Sequence, residues 1–161
     1  MTEKFANKGG IIGNPNGATD TNSEEFKILQ QKILERVNSY TPKEKLDNKL
    51  FGLKLRMKSY IENEKPFRPT GDFIRELIEA FDIKKKAFAA YIGVEDSNLS
   101  ALLKDRRKIN ADLAMKFGRI SKTDPVLWLS VQTKNELKKV EAEKGKQYDK
   151  YSSEDLLKRA V

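Results

Sequence analysis

The chain has 161 residues, 35% of them charged, and a formal net charge of +8. That length suits one domain with appendages, and the positive balance favours polyanionic partners. Cysteine and histidine are both absent, which excludes disulfides, thiolate chemistry, cysteine–zinc sites and any Ser-His or Cys-His pair. No apolar run is long enough for a membrane-spanning helix, and MTEKFANKGG lacks the apolar core of a signal peptide. A cytoplasmic protein with no cofactor is the expectation.

Residues 1–20 hold Gly9-Gly10 and Gly13-Asn14-Pro15-Asn16-Gly17 and little that could pack, and they read as a disordered arm. Thr21-Asn22-Ser23 then offers N-caps, with Glu24 and Glu25 suited to a helix N-terminus. Phe26, Leu29, Ile33 and Val37 follow at helical spacing. Thr41-Pro42 signals a second helix start, and Leu46, Leu50, Leu53, Met57 and Tyr60 recur at steps of four and three. Residues 21–65 therefore read as a helical hairpin. Its apolar stripes must be buried, against each other, against the main domain, or in a dimer or partner surface.

Pro66 and Pro69 break the chain, and Thr70 is expected to cap a helix carrying Phe73, Leu77, Ile78 and Phe81 inward. Residues 83–108, IKKKAFAAYIGVEDSNLSALLKDRRK, carry two short helical patterns flanking Gly93. Phe88, Ala89 and Ile92 close the first, and Leu99, Leu102 and Leu103 the second. That is the layout of a helix-turn-helix. Ala89 is small where the helices cross, and Gly93 can take the positive φ of a tight turn. Asn110 is expected to cap a helix over 111–120 with Leu113, Ala114 and Phe117 inside. Asp124-Pro125 starts a last long helix, about 126–143, ended by Gly145. In that helix Trp128 is expected in the core, while Trp128 with the Val131/Leu127 face is also the candidate dimer surface. Residues 144–161 read as a tail with a short helix capped by Ser152 or Ser153. No strand pattern and no internal repeat is evident.

From Thr70 to about Glu141 the sequence resembles the phage-repressor-like helix-turn-helix domains of the XRE family, and within these the HigA-type antitoxins. The carrying residues are PTGDFIRELIEAF, AFAAYIGVEDSNLSALLKDRRKINADLAMKFGRI and TDPVLWLSVQTKNEL. The resemblance implies an all-α, five-helix, lambda-repressor-like helix-turn-helix domain over 66–143, with the hairpin as an N-terminal extension. It also implies a repressor that binds its own double-stranded DNA operator as a homodimer, and a HigB-like ribonuclease toxin as partner. The sequence departs from the family pattern in three ways. Lys84 and Lys85 stand where a polar cap and a glutamine are usual, Glu95 and Asp96 open the second helix, and Asp105 replaces a frequent glycine.

By the same resemblance Asp96, Ser97, Asn98 and Ala101 face the groove floor, while Lys85, Lys86, Lys104, Arg106, Arg107 and Lys108 grip phosphates. The chemistry suits those roles. Asn can pair bidentately with adenine, Ala can touch a thymine methyl, and Asp can accept from a cytosine amine. Between Thr70 and Ala111, however, eight Lys/Arg (Arg75, Lys84, Lys85, Lys86, Lys104, Arg106, Arg107, Lys108) face seven Asp/Glu (Asp72, Glu76, Glu79, Asp82, Glu95, Asp96, Asp105). One copy of so neutral a motif should bind weakly, and a dimer on two half-sites is needed. Residues 42–58 are more basic, with six Lys/Arg (Lys43, Lys45, Lys49, Lys54, Arg56, Lys58) against Glu44 and Asp47. They form a solvated face or a surface for an acidic partner or nucleic acid.

The competing reading is a protein–protein adaptor that keeps the scaffold and not the DNA. An enzyme is not expected. Without histidine or cysteine it would need clustered carboxylates and a metal, and the acids here are scattered among lysines at i,i+4 spacing.

Overall fold

The computed structural model describes residues 22–63 and 66–159. Eight helices and no strand occur among them: α1 Glu24–Asn38, α2 Pro42–Glu62, α3 Thr70–Ala80, α4 Lys85–Ile92, α5 Asp96–Leu103, α6 Ala111–Ser121, α7 Pro125–Tyr148 and α8 Ser153–Arg159. The fold is all-α and contains a helix-turn-helix. The expected arm at residues 1–20 lies outside the described residues. The chain divides into two units, residues 1–45 and 46–161, and the boundary falls inside α2.

In the first unit, Ser23 Oγ accepts from the Phe26 amide at 3.2 Å and opens α1. Ile28, Ile33, Leu34 and Val37 are all exposed, and no residue of α1 is buried. The start of α2 is a reciprocal cap. The Thr41 amide donates to Glu44 Oε2 at 2.8 Å, and the Glu44 amide donates to Thr41 Oγ1 at 3.2 Å. These bonds hold the Glu44 carboxyl below its ordinary pKa; the Thr41 amide is the largest cause and the Thr41 hydroxyl the next.

In the second unit the 3–4 spacing along α2 brings Leu50, Leu53, Met57 and Tyr60 to one face, and all four are buried. They share a core with Phe73, Ile74 and Leu77 of α3, Phe88 and Ile92 of α4, Leu99 and Leu102 of α5, Phe117 of α6, and Trp128 and Val131 of α7. Burying each such side chain stabilises by about 1.5–3 kcal/mol. Aromatic rings link the layers: Phe88 to Phe117 at 6.1 Å and Phe117 to Trp128 at 5.1 Å between centroids.

Polar groups fasten α2 to α7. Lys134 Nζ donates to the carbonyls of Tyr60, Ile61 and Asn63 at 2.7, 2.8 and 2.8 Å, satisfying the orphan acceptors at the end of α2. Buried Asn135 accepts from the Tyr60 hydroxyl, and it donates to the Arg68 carbonyl at 2.8 Å and to Thr70 Oγ1 at 3.1 Å. Among the described residues no buried side-chain polar atom lacks a partner.

Several expectations need correction. Thr70 does not cap α3. It is the first helical residue, Pro69 holds the cap position without a side-chain bond, and the Thr70 hydroxyl is taken by Asn135. Gly145 does not end the last helix, which runs to Tyr148. A glycine stops a helix by taking the left-handed conformation, and Gly145 is helical instead. The expected dimer face on that helix is not available. Trp128 and Val131 are both 0% exposed, and Leu127 packs half-buried against the same core. By contrast Asn110, Asp124 and Ser152 cap their helices as read, accepting from Leu113, Val126 and Asp155 amides at 2.8, 2.9 and 3.1 Å.

Candidate nucleic-acid interface

The two helices of the motif end in the same way. After α4, Gly93 sits at φ 71°, its amide donates to Ala90 O at 3.2 Å, and the Val94 amide donates to Ala89 O at 3.0 Å. After α5, Asp105 sits at φ 52°, its amide reaches Leu102 O at 3.1 Å, and the Arg106 amide reaches Ala101 O at 2.9 Å. Both are left-handed closures that satisfy the last carbonyls and turn the chain sharply. Ala89 is fully buried, as a close crossing of α4 and α5 requires.

The end of α5 is also pinned from outside. Asp105 Oδ1 accepts from the Gly71 amide at 3.0 Å, and Arg75 Nη2 donates to Leu103 O at 2.9 Å. A Cβ on Gly71 would lie 2.3 Å from Leu103 O, so only glycine lets α3 come this close. Asp105 therefore earns its place where a glycine was expected: its carboxylate reaches across to α3.

With Leu99, Leu102 and Leu103 buried, the opposite face of α5 is open. Asp96 and Ser97 are exposed, while Asn98 and Ala101 are half-buried. Ser100 is exposed too and sits between Ser97 and Lys104 at helical spacing. The sequence reading passed over it, although its place at i+3 from Ser97 was the available signal. Ser97 Oγ donates to Glu95 Oε2 at 3.3 Å.

The basic side chains fall into two groups. Lys85, Lys86, Lys104 and Arg106 are exposed and have no ion pair among the described residues. Arg107 and Lys108 are engaged. Arg107 Nη1 donates to Asn98 Oδ1 at 2.6 Å, and Lys108 Nζ pairs with Glu136 Oε2 at 2.9 Å. Thus the structure brings Asn98 and Arg107 together and turns Lys108 toward α7. The first turn of α4 contains no acid, so Lys85 and Lys86 stand at the positive end of a helix dipole. Each such placement is unfavourable by about 0.3–1 kcal/mol in the isolated protein, and an arriving anion reverses its sign.

Fold and site together define a helix-turn-helix protein whose second motif helix is presented to solvent. The chain is similar to an uncharacterized HTH-type transcriptional regulator, YbaQ of Escherichia coli K12, with 29% identity over 77 residues, 48% of this chain and 68% of that protein. It is 30% identical over 84 residues to virulence-associated protein I of Dichelobacter nodosus, 52% of this chain and 78% of that protein. The chain belongs to the family of virulence-associated protein I. No family model matches the chain, and no solved structure does.

Proposed function

We propose that this protein is a sequence-specific DNA-binding transcriptional regulator that lays α5 in the major groove. The observation that carries this reading is the open face of α5, its end pinned to α3, with cations at Lys85, Lys86, Lys104 and Arg106 that have no ion pair among the described residues. In this pose Asn98, Ser97, Asp96 and Ala101 meet base edges, and the four cations meet phosphates. Arg107 positions Asn98 before DNA arrives and can pass to a phosphate on contact.

The finer reading is an autoregulatory, antitoxin-type repressor with a HigB-like toxin as partner. It rests on the resemblance of the motif and its flanking helices to HigA-type proteins. A homodimer on half-sites about 34–36 Å apart supplies the affinity that one nearly neutral motif lacks.

The test is fluorescence anisotropy of the full chain on the duplex upstream of its own coding sequence, against a scrambled duplex, across salt concentrations. The expected result is preference for the native duplex with affinity that falls as salt rises. Equal affinity for both duplexes at every salt concentration overturns sequence-specific regulation. No binding to either points to the adaptor reading, which Glu95 and Asp96 at the head of α5 favour.

A further inference from the structure

Away from the motif, an open cavity of about 560 Å3 lies between the middle of α2, the 66–68 segment and α3. This volume is in the range of small-molecule sites. Its walls are apolar: Leu55, Tyr60, Phe67 and Phe73, with the Tyr60 and Phe73 rings 5.7 Å apart. Leu55 and Phe67 are 50% and 47% exposed and so are wetted in the free protein, while Tyr60 and Phe73 are 2% and 0% exposed.

The rim is cationic. Arg56 and Arg68 both line the cavity and share a single carboxylate, Glu76. Glu76 takes only Nε of Arg56, at 2.9 Å, and one terminal nitrogen of Arg68. Among the described residues, guanidinium donors are left over on both side chains. The Arg68 guanidinium lies 4.2 Å from the Phe73 ring centroid, which fixes its plane along the cavity wall. Further cations stand around the same rings: Lys134 and Lys138 over Tyr60 at 5.4 and 5.3 Å, and Lys139 over Phe67 at 5.4 Å. Two arginines on the rim share one carboxylate, and a second carboxylate would complete their pairing.

We propose that this cavity is a binding site for a small organic acid, its flat or branched apolar body between Leu55 and Phe67 and its carboxylate on Arg56 and Arg68. The site lies outside the helix-turn-helix and does not depend on the DNA-binding reading. The apolar walls hold the body of the ligand, and the guanidinium pair selects acid over alcohol or amine.

The test is isothermal titration calorimetry of the full chain with 2-naphthoate, 2-naphthylmethanol and 2-naphthylmethylammonium. Saturable binding of the acid is expected, with the alcohol at least about tenfold weaker, the loss that follows from removing a charge-assisted hydrogen bond, and no binding of the ammonium. Leu55→Glu, at a half-exposed position, should weaken the acid by about tenfold or more while far-UV circular dichroism and the thermal midpoint stay at wild-type values. Arg56→Met should abolish the preference for acid over alcohol. Absence of saturable acid binding at millimolar concentration overturns the proposal. So does equal affinity for acid and alcohol, or wild-type affinity in a folded Leu55→Glu protein.

Discussion

Asp105 Oδ1 accepts from the amide of Gly71 at 3.0 Å, and through this bond the end of α5 is tied to the start of α3. The same residue holds the left-handed φ of 52° that turns the chain out of α5. Two tasks, one conformational and one electrostatic, meet in a single side chain. Substitutions separate them. Asp105→Asn keeps an acceptor and a tolerance for the left-handed region, and should stay within about 1 kcal/mol of wild type. Asp105→Ala loses both and should cost about 2–3 kcal/mol. Urea unfolding gives the values, and equal stability of the alanine and asparagine variants would refute the assignment.

The glycines of α2 and α3 should respond in opposite directions. At Gly71 a Cβ meets the Leu103 backbone at 2.3 Å, so Gly71→Ala must move α5 away and should cost about 1–3 kcal/mol. At Gly52 the nearest obstacle is the end of the Arg56 side chain at 3.1 Å, which can swing aside. Gly52→Ala should therefore stabilise by about 0.5–1 kcal/mol through helix propensity. Thermal midpoints of the two variants moving in the same direction would contradict this.

On DNA, Asn98 and Lys86 should fail differently. Asn98→Ala removes a candidate base contact and the partner of Arg107, and should reduce discrimination between native and scrambled duplex by about 1–3 kcal/mol. Lys86→Ala should weaken both duplexes alike and lower the slope of log affinity against log salt by about one. Anisotropy titrations at several salt concentrations distinguish the two. A sequence-selective loss in Lys86→Ala would place that side chain in the groove rather than on the backbone.

The cap of α2 should be acid-sensitive. The Thr41 amide and hydroxyl bind the ionised Glu44 carboxylate and hold its pKa below the ordinary value of 4.5. A carboxyl with a lowered folded pKa contributes stability that is present above its unfolded pKa. That contribution is lost as pH falls through the folded value. Acidification from neutrality to below 4.5 should therefore fray the first turn of α2, and Glu44→Gln, which keeps an accepting oxygen, should remove the pH dependence of that turn. Amide exchange of residues in that turn, followed against pH, reads this directly. Exchange that does not change on acidification, or that changes equally in the glutamine variant, would count against the cap.

The motif was legible because its requirements are local. Phe88, Ala89 and Ile92, the turn at Gly93, and Leu99, Leu102 and Leu103 announce themselves by spacing, and the structure buries or turns each as its type demands. The helix starts at Asn110 and Asp124 were local as well. What spacing does not give is the identity of the neighbour. The stripe on α2 marked an apolar face, yet nothing in it names the core shared with Trp128 and Phe73 that covers it. For the same reason the last helix left two readings open, core and dimer surface, and burial of Trp128 and Val131 bears out the core. At the candidate interface, residue types suggested candidates for DNA contact, while the bonds Arg107–Asn98 and Lys108–Glu136 join positions 9 and 28 residues apart and follow only from the fold. Asp105 reads from the sequence only as a departure from a frequent glycine because its partner, Gly71, lies 34 residues upstream.

Trp128 is the sole tryptophan of the chain, fully buried, with its indole N–H shared between Ser121 Oγ at 3.3 Å and Thr123 Oγ1 at 3.2 Å. The protein thus carries its own optical reporter at the junction of α6 and α7. Its emission should be blue while that junction is intact and shift to the red when it opens. Intrinsic fluorescence therefore follows the opening of that junction and needs no label.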